Sequence, residues 1–119
     1  MKKIQDKIEE FDKAREWGHI SEVKDLLLNM SEEIGEFWNI IKWVDAKEQE
    51  RLIKENMGEV ENFIGDITFL VLKVAHICGV DSEKAINDVL DEYEVRFPVD
   101  DVKRAGHANK KAGGIDLKK

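Results

Sequence analysis

Two stretches of this chain are apolar almost throughout, yet each holds carboxylates, and that conflict limits the fold more than any other feature. In Met30-Ser31-Glu32-Glu33-Ile34-Gly35-Glu36-Phe37, Glu33 and Glu36 stand three residues apart. In Phe63-Ile64-Gly65-Asp66-Ile67-Thr68-Phe69-Leu70, Asp66 is surrounded by apolar neighbours. Helical spacing puts Glu33 and Glu36 on one face. Their like charges repel, and drawing them inward is costly unless something positive lies between them. A hard divalent cation such as Mg²⁺, which prefers oxygen ligands, is the simplest such partner. The plain alternative is a solvated acidic face. Gly35 and Gly65 each cost roughly 1 kcal/mol against alanine in a helix interior, and their positions beside the acids suggest close helix approach.

The remaining periodicity is also helical. Ile4, Ile8, Phe11 and Ala14 predict a first helix from about Lys3 to Trp17, ended by Gly18. Ser21 reads as the N-cap of a second helix that runs to about Val44. That helix is apolar on more than one side, which predicts cover from two directions and contact with a second subunit. Asp45–Lys47 is a polar break, a charged helical segment follows to Glu55, and Gly58 is the expected break before a third major helix, Glu59–Ile77. Gly79 suits a C′ position. Asp81 or Ser82 caps the last helix, and Pro98 stops it. The expectation is an all-α, antiparallel bundle of four main helices over residues 1–98, with a basic, flexible tail over 99–119.

Charge and composition narrow the function. A chain with 42% hydrophobic and 38% charged residues and one proline suits amphipathic helices better than sheet. Residues 103–119 carry a net +5, leaving −12 on the rest of a chain whose total is −7. So acidic a body argues against duplex nucleic acid as a partner. The single Cys78 forms no internal disulfide and reads as a small buried apolar residue. The longest apolar stretch, Ile67–Cys78, is too short and too interrupted to span a bilayer, and the charged N-terminus does not resemble a signal peptide. A cytoplasmic protein that does not engage membranes is the default expectation.

Several short motifs then occur in a specific order: Arg15-Glu16-Trp17, Leu26-Leu27-Leu28, Glu32-Glu33-Ile34-Gly35-Glu36-Phe37, Ile41-Lys42-Trp43, the run Asp66–His76, Gly79-Val80-Asp81 and Arg96-Phe97-Pro98. Over roughly residues 8–98 this resembles the MazG-like all-α nucleotide pyrophosphohydrolases, most of all their dCTP pyrophosphatase branch. The resemblance implies hydrolysis of an NTP or dNTP between the α- and β-phosphates, releasing a monophosphate and pyrophosphate. It also implies a Mg²⁺ cofactor, with Mn²⁺ as the alternative ion, and a homo-oligomer, either dimer or tetramer. Glu33, Glu36 and Asp66 match the family's acidic signature, while Glu32 reads as surface charge.

The chain departs from that signature at Phe63, where the family has a glutamate. At about 100° per residue, Asn62 lies about 40° from Asp66 around the helix axis and could ligate in its stead, directly or through water; Glu59 is nearly in line but roughly 10 Å away, where it could serve a second ion or orient a water. The resemblance places Trp17 near the base. Ser21 replaces a family histidine, with His19 two residues earlier, so base preference does not transfer. Lys73 and Arg96 are candidate phosphate contacts, each with an ordinary structural role as its alternative. Two other readings stand beside the enzyme: a non-catalytic nucleotide- or metal-binding relative, and a helical interaction module.

Overall fold

The computed structural model describes residues 1–106. Among them are α1 (Lys2–Ala14), a 3₁₀ turn (Ile20–Glu22), α2 (Val23–Ile41), α3 (Ala46–Glu55), α4 (Met57–Ile77), α5 (Ser82–Arg96) and α6 (Val99–Ala105), with no strand among these residues. The all-α expectation holds, with six helices in place of four main ones. Contacts divide the chain into two units, Met1–Ser82 and Glu83 onward, rather than at residue 98.

In the first unit α4 is the central rod. α2 and α1 pack along it, and α3 contacts both α2 and α4. Phe37 meets Phe63 with ring centroids 4.9 Å apart, while Glu33, one turn earlier on α2, meets Asp66, nearly one turn later on α4. At this contact the two helices therefore run antiparallel. Ile8 of α1 and Leu70, Leu72 and Ala75 of α4 form the buried apolar core. Each fully buried leucine contributes about 1.5–3 kcal/mol. Phe11 sets its edge against Phe69, with centroids 6.0 Å apart. Gln5, also buried, ties α1 to the end of the unit. Its Nε2 donates to the Val80 carbonyl at 2.7 Å and its Oε1 accepts from the Ser82 N–H at 3.0 Å.

The connections differ from the sequence reading in ways the backbone explains. α1 stops at Ala14 because the Asp12 carbonyl accepts from both Arg15 and Trp17 N–H groups, and Glu16 turns into the left-handed region at φ 59°. Ser21 lies inside the 3₁₀ turn, so it does not cap α2. α2 ends at Ile41, where Lys42 is extended and Trp43 takes φ 67°. Asp45 caps α3 by accepting the Glu48 N–H at 2.8 Å. The break between α3 and α4 is Asn56 alone, and Gly58 lies within α4. Gly79 follows α4 at φ 70°, as expected of a C′ glycine.

Two expectations about packing fail. Cys78 is exposed at the end of α4. A Cβ placed on Gly35 or Gly65 would meet nothing within 4 Å, so neither glycine serves a close helix approach within this chain. Instead α2 and α4 leave apolar side chains in solvent, among them Leu28, Ile34, Trp38 and Ile64, each half exposed or more. Among the described residues no single helix is long and apolar enough to cross a membrane.

The second unit holds α5 and α6. α5 is laced by i,i+4 pairs, Lys84 with Asp88 and Arg96 with Glu92. It ends before Pro98, as the sequence predicted. Residues 99–105 are helical rather than a loop. Asp100 and Asp101 stand in the first turn, Lys103 and Arg104 in the last, and Gly106 closes α6 at φ 79°. The rest of the expected tail lies outside the described residues.

Candidate functional site

The apolar seam between α2 and α4 turns acidic at one place. A cleft of about 30 Å³ is lined by Glu33, Glu36, Phe37 and Ile40 from α2 and by Glu59, Asn62 and Phe63 from α4. Amphipathic spacing creates it: Phe37 and Phe63 stack as the greasy floor, and the acids one turn away rise beside them. Asp66 is not in the lining but borders it, accepting from the Asn62 Nδ2 at 3.2 Å.

Glu33 is the meeting point of this group. Partial burial pushes its carboxyl above the usual range first, and the charges of Glu36 and Asp66, a hydrogen bond with Asp66 and the charge of Glu32 push it further. A hydrogen bond between two carboxyls needs a proton, so repulsion among the acids is relieved by proton retention at Glu33. No Lys or Arg lines the cleft. The donors are oxygen throughout, and that chemistry fits a hard divalent cation. The geometry is more open than the sequence reading required: among the described residues no three Asp, Glu, His or Cys side chains are grouped closely enough to hold an ion as they stand. Asn62 points its amide N–H₂ at Asp66, and Phe63 fills the place of the missing glutamate with a ring.

Lys73 belongs to a different cluster. It shares a face of α4 with Asp66, seven residues on, roughly 10 Å along the axis. It is only 5% exposed, and its Nζ lies 3.3 Å from Asp12 Oδ1 and 3.4 Å from Glu22 Oε1. Held there, it is not free to contact a phosphate, and that expectation is corrected. Asp12 is fully buried and takes His76 Nε2 at 2.6 Å on its other oxygen. Trp17 packs edge-on against Phe11 and lies over Lys73 Nζ, 4.7 Å from the ring centroid, with about half its surface in solvent. Glu22 Oε2 accepts the Gly18 and His19 N–H groups at 2.8 and 2.7 Å. Those two backbone bonds hold its carboxyl below the usual range, with the Lys73 ammonium adding to the effect.

Sequence reasoning missed Asp12 and Glu22. A signal existed for Asp12, which falls one turn after Ile8 on the apolar stripe of α1, where an acid needs a cationic partner. Lys73, on the most apolar helix, is the matching cation, and His76 three residues on shares its side. At the end of α2, Trp38 and Trp43 pair with each other, centroids 6.0 Å apart. Arg96, in the second unit, lies against Tyr93 and Phe97 and pairs with Glu92.

The fold is similar to that of a pyrophosphatase from Archaeoglobus fulgidus known from a crystal structure, with a TM-score of 0.68 over 81% of this chain and 90% of that one, at 23% identity. No protein-family model matches the chain. No curated protein matches it.

Proposed function

We propose that the protein is a metal-dependent nucleoside triphosphate pyrophosphohydrolase, acting on NTPs or dNTPs in nucleotide-pool housekeeping. The observation that carries this reading is the cleft itself: Glu33, Glu36 and Glu59 line it beside an apolar floor with Asp66 at its border and no cation among the lining residues, and the neighbouring acids raise the Glu33 carboxyl. The fold shared with a pyrophosphatase and the MazG-like motif order point the same way.

Glu33, Glu36 and Asp66 would hold Mg²⁺ or Mn²⁺, with Asn62 and Glu59 at the margin. When bound, the ion neutralises phosphate charge and lowers the pKa of a water. Glu33 would have to be deprotonated to serve as a ligand, so its raised carboxyl would make ion loading depend on pH. Phe37, Ile40 and Phe63 form an apolar wall on one side of the cleft. Trp17 would stack on the base. It lies over Lys73, on the face of α4 that also bears Asp66, so base and phosphates would share one side of the helix. The apolar exposure on α2 and α4 supports a homo-oligomer, and the acidic body supports small anionic substrates brought in with metal rather than duplex nucleic acid.

A panel of NTPs and dNTPs assayed for pyrophosphate with Mg²⁺ tests this reading. Cleavage of at least one substrate is expected, abolished by chelation and reduced at least a hundredfold by Glu36→Gln, the scale of losing a group that stabilises transition-state charge. Turnover that survives both treatments would refute the site. Phe63 and the open donor geometry favour one rival, a nucleotide- or metal-binding protein without turnover. Mg²⁺-dependent thermal stabilisation without pyrophosphate release would identify it.

A further inference from the structure

The turn that carries Trp17 is held by more interactions than a surface turn needs. Glu16 is left-handed at φ 59°, a costly conformation for a non-glycine residue, and Gly18 at φ 107° takes a conformation that only glycine adopts freely. A Cβ on Gly18 would come within 3.4 Å of His76 Cε1, so the turn is seated on the Asp12–His76 pair. Glu22 grips the backbone at Gly18 and His19. Lys73, buried in the centre, bridges Asp12 and Glu22 and presents its ammonium to one face of the indole. About half of the Trp17 surface is open to solvent. Asp12 Oδ1 has no hydrogen bond of good geometry besides this ion pair, so Lys73 is the group that neutralises it. Strain, buried charge and a half-open aromatic ring thus converge on one side chain.

We propose that Lys73 is a positioning residue that fixes the Trp17 ring as a platform for a flat heterocycle, with Asp12 and Glu22 holding the lysine in place. The proposal rests on the nucleotide reading above for the identity of that heterocycle, the base. Lys73 touches neither substrate nor metal. It closes one face of the indole by a cation–π contact and leaves a single face for stacking, so its loss weakens binding rather than the chemical step.

The test uses the full chain with Trp38→Phe and Trp43→Phe, so that Trp17 alone reports. Lys73→Met, which keeps length and removes charge, is expected to shift Trp17 emission and open the ring to acrylamide quenching. For the nucleotide that the wild type cleaves, KM should rise about tenfold with kcat within about twofold, a contact of cation–π size. Lys73→Arg should restore both readouts. A folded Lys73→Met protein with unaltered Trp17 emission and quenching would overturn the proposal. Should Lys73→Met fail to fold, Glu22→Gln, which keeps an acceptor for the two backbone bonds, must show the same shifts in the same directions or the proposal falls. If the wild type cleaves no nucleotide, the pyrophosphohydrolase reading fails by itself, and the emission and quenching arms still decide the role of Lys73.

Discussion

At the scale of single residues, two carboxyls move in opposite directions and make opposite pH predictions. Glu22 is held below its ordinary range, so in that window the unfolded chain binds the proton more tightly. Its contribution is present above the unfolded value and lost as pH falls through the folded one. Glu22→Gln should therefore flatten the acid side of the stability profile in a set of denaturant melts. Glu33 is raised, so the folded chain keeps the proton longer and stability declines as pH climbs through the raised value. On the proposed ligand set, Mg²⁺ would compete with that proton. The Mg²⁺-induced rise in Tm should grow over the same window and vanish in Glu33→Gln; a rise independent of pH in the wild type would remove Glu33 from the proposed ligand set. The acids were legible in the sequence because a charged residue in an apolar helix contradicts its neighbours. The role of Lys73 was not, because helical phase shows that it shares a side with Asp66 but not that Asp12 and Glu22, distant in sequence, reach it first.

At the scale of elements, helix ends were less legible than helix interiors. Apolar spacing located α1, α2 and α4, but their ends are set by single backbone choices at Glu16, Trp43 and Asn56 that no side-chain pattern announces. α6 was read as loop because seven residues are too few for a periodicity, although its acidic first turn and basic last turn are helix signals. Asp45 was seen only as part of a polar break, yet its side chain starts α3. Asp45→Ala should cost about 1 kcal/mol by chemical denaturation. Gly65 gives a sharper test. With open space around its Cβ direction, Gly65→Ala should stabilise by about 1 kcal/mol. A loss of stability instead would mean that a second copy packs its backbone there.

For the molecule as a whole, the balance of surface is unusual. Among the described residues four apolar ones are buried, while many large ones on α2 and α4 stand in water. Exposure of this kind is what an interaction surface would leave. The sequence reading of α2 expects cover from two sides, and neighbours within the first unit do not fully supply it. Light scattering should report a mass above that of one chain at micromolar concentration, and Leu28→Asp with Ile64→Asp should lower it. A wild-type protein that stays at single-chain mass would leave those residues without a partner copy. Fold class was legible because the 3.6-residue period is local, whereas assembly depends on surfaces that no single periodic segment specifies.

The corner at Asn56 has one more consequence. α3 and α4 meet across this single residue, whose side chain donates to the Leu52 carbonyl at 2.7 Å, so the joint has no slack. Glu59 lies three residues beyond it, at the rim of the acidic cleft. α3 is thus joined through one residue to the helix that carries Glu59, Asn62 and Asp66, so the two helices and the acidic rim share a single corner.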